Sequence, residues 1–183
     1  MQRLAAALAP ARFEVIRFNF PYREKGAARI DSMPVLKDSF VKTVSEVLKG
    51  KHPQKLVIGG RSMGGRVASM LAAEGFECDG LLLAAYPLHP TGQPEKLRVA
   101  HLAQIRCPVL CLSGTRDALC RRDLMEQALA SVPAPWTMRW LEGADHSFHV
   151  LKSSGRTDAD IDREVGEAAA RWLPSLQAAA EQK

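Results

Sequence analysis

The apolar residues of this chain fall into blocks whose period switches between two and about 3.6, so the pattern predicts strands alternating with helices. Residues 2–9 (QRLAAALA) suit a short helix. FEVIRFNF, 13–20, is dense in β-branched and aromatic residues and stops at Pro21, which predicts a strand. Asp31 or Ser32 can cap a helix with Pro34 in its first turn, and Leu36, Phe40, Val44 and Val47/Leu48 then recur at helical spacing to about residue 49. KLVIG, 55–59, reads as a short strand, and from Gly65 onward Val67, Met70 and Leu71 share one helical face. GLLLAAYP (80–87) and PVLCLSG (108–114) are continuous apolar runs, as parallel strands covered on both faces should be. Leu124, Met125, Ala128 and Leu129 mark a helix, and TMRWLEG (137–143) a strand. Ile161, Val165, Ala168, Ala169 and Trp172 line a last helix, capped by Thr157 or Asp158 and ended near Pro174. The longest irregular stretch, about 88–106, is expected to run over the surface near the mouth of a site.

This alternation argues for the α/β class: a mostly parallel sheet with helices on both faces. At 183 residues, one domain spanning 1–183 is expected, long enough to bury a sizeable core. Apolar residues at 46% and charged residues at 25% suit a soluble globular protein. No apolar stretch approaches the ~20 residues that span a bilayer, so no membrane association is expected. The start MQRLAAALAPARFEV lacks the features of a secretory signal, which makes a cytoplasmic location the expectation. The net charge of +5 is spread along the chain, and no nucleic-acid-binding signature accompanies it. Cys78, Cys107, Cys111 and Cys120 form no CxxC pair and have no His cluster at zinc-site spacing, so we expect free thiols and no metal. Cys107 and Cys111 flank an apolar strand and read as small buried hydrophobes.

In open parallel sheets, chemistry gathers where strands end. After 55–59 comes Gly60-Arg61-Ser62-Met63-Gly64; after 108–114 comes Thr115-Arg116-Asp117; after the strand at 137 comes Gly143-Ala144-Asp145-His146-Ser147-Phe148. G-x-S-x-G between a strand and a helix describes a turn so sharp that the serine is strained, its hydroxyl is exposed, and side chains at Gly60 and Gly64 would clash. The same turn aims the backbone N–H of Met63 at a carbonyl under attack. Serine needs a base, and the base an orienting acid; His146 and Asp117 stand in that chain order. Asp123, in the first turn of a helix, reads as a surface residue, and Asp145 adjoins His146 too closely to face it. His149 rivals His146, whereas His52, His89 and His101 fall in loops or surface stretches without a strand end to recommend them. Arg61 and Arg116 flank the site, where they are either solvated or set to favour an anionic substrate. Tyr22, Tyr86 and Phe148 are candidates to line a pocket, or plain packing. A phosphate loop is disfavoured because Gly65-Arg66 stands where Lys-Ser/Thr should be.

At these residues the chain resembles the α/β-hydrolase superfamily. RFNFPY (17–22), GGRSMGG (59–65), CPVLCLSGTRD (107–117), GADHSF (143–148) and SGRT (154–157) are similar to one branch of it. That branch holds small bacterial proteins like dienelactone hydrolases, a eukaryotic testis-expressed protein and the third subunit of the NSL histone-acetyltransferase complex. The resemblance runs from about residue 1 to 173 and implies the α/β-hydrolase fold, with Ser62, Asp117 and His146 as nucleophile, acid and base. Dienelactone hydrolases proper carry Cys at the elbow, so Ser62 departs from them toward other ester chemistry. In that fold a second oxyanion donor comes from a glycine-rich loop between an early strand and the first helix. Met1 falls about where that helix begins, so either the true start lies upstream or the first strand and its loop are lacking; the latter would leave a sheet edge that a homodimer could cover. The implied activity is cofactor-independent hydrolysis of a small ester or thioester through an acyl-enzyme. The competing expectation is a non-catalytic scaffold that keeps the fold, or a truncated inactive form.

Overall fold

The computed structural model describes residues 1–11 and 13–178. Four strands, β1 (Val57–Arg61), β2 (Gly80–Ala84), β3 (Val109–Gly114) and β4 (Trp136–Leu141), form a parallel sheet in the order β1-β2-β3-β4. The helices among the described residues are α1 (Gln2–Leu8), α2 (Pro21–Glu24), α3 (Met33–Leu48), α4 (Met63–Ala73), α5 (Arg122–Leu129), α6 (Asp158–Trp172) and α7 (Ser175–Ala178). Parallel strands need crossovers; α4 carries the one from β1 to β2 and α5 the one from β3 to β4, while residues 85–108 connect β2 to β3 without an α-helix. Successive residues of a strand point to opposite faces, and the two central strands divide accordingly. Leu81, Leu83, Val109 and Cys111 pack with Leu36 and Phe40 of α3, Val67 and Leu71 of α4 and Met125 of α5. Leu82, Ala84, Leu110 and Leu112 pack with Leu4 and Leu8 of α1 and Ile161, Val165 and Trp172 of α6. Both faces are covered, as the continuous apolar runs predicted, and each buried leucine contributes about 2 kcal/mol.

The strand expected at 13–20 is not one. The segment carries no regular secondary structure, and its side chains are shared between two layers: Phe13 and Val15 lie against the α1–α6 layer, Phe18 and Phe20 against the α3–α4 layer. It forms no ladder with β1, the sheet edge, so the β propensity is satisfied by packing alone. The bounds of the predicted strands move: 55–59 becomes 57–61, 80–87 becomes 80–84, 108–114 becomes 109–114 and 137–143 becomes 136–141. Ser32 occupies the N-cap position of α3 without a side-chain cap; Asp31 instead accepts from the Tyr22 backbone N–H at 2.9 Å, closing the turn after α2. At α6 the cap is Thr157, in a reciprocal box with Asp160. The Thr157 hydroxyl and backbone N–H and the Arg163 guanidinium all bond the Asp160 carboxyl and hold it down at about 2. Among the described residues no helix is long and apolar enough to cross a membrane, and no group of three or more His, Cys, Asp or Glu could hold a metal.

Candidate active site

The turn after β1 explains its glycines by close approach. A Cβ on Gly60 would lie 2.7 Å from the backbone carbon of Gly64, and one on Gly65 would lie 2.8 Å from the Gly60 carbonyl oxygen. Gly64 itself has open space where a Cβ would stand, which corrects the expectation that Gly60 and Gly64 are the sterically required pair. The tight pair is Gly60 and Gly65, and Gly64 contributes backbone rather than room. Between them Ser62 sits at φ +52° and ψ −116°, left-handed backbone that a side chain rarely adopts and that costs about 1–3 kcal/mol. Its N–H donates to Ala84 O at 2.8 Å, which pins the turn to the end of β2. The next residue, Met63, opens α4, so its N–H is one of those a helix leaves without an intrahelical acceptor. The other described non-glycine residues at positive φ, Ala85 and Phe148, also follow strand ends, after β2 and in the loop beyond β4.

The structure brings Ser62, Asp117 and His146 together in one line. His146 Nε2 is 2.9 Å from Ser62 Oγ, and His146 Nδ1 is 3.0 and 2.9 Å from the two Asp117 carboxylate oxygens. A carboxylate only accepts, so Nδ1 carries the proton and Nε2 offers its lone pair to the Ser62 hydroxyl. Asp117 follows β3; its side chain is fully buried, and Oδ1 also accepts from the Leu119 N–H at 2.8 Å. That second bond fixes the carboxylate independently of the histidine.

The rivals occupy other places. Asp145 accepts from the Ser147 and His149 N–H groups at 2.7 and 3.0 Å, so it shapes the loop rather than facing the His146 ring. His149 Nδ1 lies 2.9 Å from Asp158, away from Ser62, and Asp123 is an exposed partner of Arg121. Tyr86, a candidate pocket residue, is enclosed in the core with its hydroxyl donating to Arg98 O at 2.7 Å; it lines no open space. Tyr22 stacks on Phe20 against the α3–α4 layer. Arg116 donates to Gly143 O at 3.1 Å, and Arg61 to His146 O at 2.8 Å. Arg61 and Phe148 do line a cavity of about 270 Å³, with Met1, Leu4, Ser147 and Val165 among its walls.

Two histidines expected at the surface are engaged. His89 is buried, with Nδ1 2.9 Å from Pro90 O, and His101 Nε2 is 2.8 Å from Ser69 Oγ. Neither was marked by any sequence pattern, because both lie in the irregular stretch 88–106. None of the four cysteines forms a disulfide. Cys78 and Cys107 approach to 3.8 Å, both half-buried, so the description of Cys107 as a buried hydrophobe holds only in part. Burial pushes the Cys120 thiol up to about 12 and Cys111 well above the usual range, which leaves both protonated and unsuited to attack.

A family model for the alpha/beta hydrolase domain matches residues 1–174. The chain belongs to the α/β-hydrolase family. Solved structures of this fold superpose on it. An α/β serine hydrolase homologue from Coxiella burnetii is 18% identical, with a TM-score of 0.68 over 90% of this chain and 75% of the other. A lidless α/β serine hydrolase from Xanthomonas campestris is 22% identical, with a TM-score of 0.65 over 94% and 74%. An esterase domain from Rhodothermus marinus is 15% identical, with a TM-score of 0.62 over 94% and 80%. At these identities the likeness is one of fold. Within the α/β-hydrolase frame, Ser62 stands at the strand-to-helix turn after β1, Asp117 follows β3 and His146 follows β4.

Proposed function

We propose that this α/β-hydrolase is a serine hydrolase that cleaves a small ester or thioester through an acyl-enzyme on Ser62, without a cofactor. The observation that supports it most is the uninterrupted path from Asp117 through His146 to a strained Ser62 at the N-cap position of α4. In the first half-reaction Ser62 Oγ attacks the acyl carbon while His146 Nε2 takes the hydroxyl proton. The carbonyl electrons move onto oxygen, which accepts from the Met63 N–H at the positive end of α4. Collapse expels the alcohol or thiol, protonated by His146, and leaves the acyl group on Ser62. Water then repeats the sequence with His146 again as base, releasing the acid. Asp117 holds the imidazole in the Nδ1–H form and stabilises the imidazolium in both halves.

The test is intact mass after treatment with a fluorophosphonate, which phosphonylates an activated serine with loss of fluoride. One adduct, absent from Ser62→Ala, is expected. A folded protein that takes up no adduct would sink the proposal.

A further inference from the structure

Arginines from four parts of the chain donate to backbone carbonyls of the loop that bears His146. Arg156 Nη1 reaches Glu142 O at 2.8 Å, Arg116 Nη1 reaches Gly143 O at 3.1 Å, Arg61 Nη2 reaches His146 O at 2.8 Å and Arg3 Nη2 reaches Phe148 O at 3.5 Å. Two of them also have acidic partners on α6: Arg156 pairs with Glu164, and Arg3 with Asp158 and Asp162. Arg116, which is exposed, and Arg61 make no ion pair among the described residues. Arg61 differs from the other three in that its Nε is buried without a partner, its hydrogen bond going to His146 O. A guanidinium taken partly out of water without a carboxylate is costly to hold. It is held here at the residue immediately before Ser62.

We infer that Arg61 is a positioning residue that clamps the loop of the base to the turn of the nucleophile, an inference that rests on the Ser62 chemistry proposed above. Two contacts join neighbouring residues of the turn to the same histidine. Ser62 Oγ meets the ring at Nε2, and Arg61 Nη2 meets the backbone at the carbonyl. The first contact alone leaves the loop free to recede, because a single neutral hydrogen bond must also break at every turnover. The second persists while the proton moves, and it is charge-assisted. It keeps Nε2 within reach of Oγ, where a displacement of about 1 Å costs on the order of 100-fold in rate. The strained backbone at Phe148, φ +61°, gives the loop a reason to relax if released.

Three proteins decide it: wild type, Arg61→Met and Arg61→Lys. The measurements are the second-order rate of Ser62 labelling by a fluorophosphonate, the low-field proton NMR resonance of His146 Nδ1–H, and the melting temperature. Arg61→Met should label about 10- to 100-fold more slowly with its melting temperature nearly kept. Its resonance should broaden or vanish. Arg61→Lys, whose ammonium can still donate to the carbonyl, should recover part of both. The idea is overturned if Arg61→Met labels as fast as wild type with the resonance intact, or if Met and Lys are equally slow. Should Arg61→Met not fold, Arg61→Gln takes its place against Lys under the same criteria. A wild type that does not label at all sinks the serine-hydrolase reading, and the resonance still decides whether Arg61 positions His146.

Discussion

Two serines at and within helix α4 each place a hydroxyl against Nε2 of a histidine: Ser62 at 2.9 Å from His146, and Ser69 at 2.8 Å from His101. The distances are alike and the chemistry is not. Ser69 lies inside the helix, fully buried, and its hydroxyl donates to Arg66 O one turn back at 2.9 Å. With that proton directed to the Arg66 carbonyl, the Ser69 oxygen is left as an acceptor, which suits the tautomer that carries its proton on His101 Nε2. Around Ser62 the proton runs the other way, because Asp117 takes the Nδ1–H and turns the lone pair of Nε2 toward the serine. His101 has no carboxylate hydrogen-bonded to its ring among the described residues, and burial, with Arg66 adding to it, pushes its pKa down. Proximity of Ser and His is therefore no signature by itself. The direction of the proton decides, and the acid behind the histidine sets that direction.

The widest separation between the pairs should appear on removing each hydroxyl. Ser62→Ala should lose labelling and turnover on the order of a millionfold. Ser69→Ala should label like wild type, since nothing reactive depends on that hydroxyl. If the two variants behaved alike in a labelling assay, the comparison would collapse. Next in size is Asp117→Asn, which keeps the shape but permits the other tautomer; a loss of about 10⁴-fold in turnover is expected. Its melting temperature should also fall somewhat, because the buried acceptor of the Leu119 N–H becomes a neutral amide. An Asn variant as active as wild type would mean that Asp117 does not orient the base.

A smaller effect separates the glycines that shape the turn. Gly65→Ala drives a methyl to 2.8 Å from the Gly60 carbonyl and should destabilise by about 1–3 kcal/mol in chemical denaturation. Gly64→Ala meets nothing and stiffens the first turn of α4, so it should be neutral or gain up to about 1 kcal/mol. Equal losses at 64 and 65 would contradict the close approach described for this turn.

These contrasts also show what the sequence could and could not disclose. Ser62, Asp117 and His146 were legible because each follows an apolar run, so a one-dimensional pattern locates a strand end and the fold brings strand ends together. The division of β2 and β3 between two layers was legible for the same reason. The hold of Arg61, Arg116 and Arg156 on the His146 loop was not, because their partners are backbone carbonyls, which every residue has. Ser69–His101 was hidden by a separation of 32 residues with no motif on either side. FEVIRFNF misled because β propensity reports fit to a half-buried, pleated surface, and 13–20 has that fit without a hydrogen-bonding neighbour. Gly64 misled because the elbow pattern fixes which glycines recur, while the clash depends on which Cβ would point at which carbonyl.

The subtlest difference between the pairs is their response to acid. In the folded protein the His101 pKa is lowered, first by burial and then by Arg66. Below its ordinary value of about 6.5, the unfolded chain therefore takes up a proton that the folded chain refuses. Stability from this site is complete above that value and declines as pH falls from there toward the lowered folded-state pKa. His101→Gln removes the titration while keeping a donor for Ser69 Oγ. Urea unfolding at neutral and at mildly acid pH should show a smaller loss for the Gln variant than for wild type, with labelling of Ser62 at neutral pH unchanged in both. Parallel losses would mean that His101 is solvated in solution and that its bond to Ser69 does not persist. A change in labelling would mean that the Ser69–His101 and Ser62–His146 pairs are coupled through α4, and that treating them as independent is wrong.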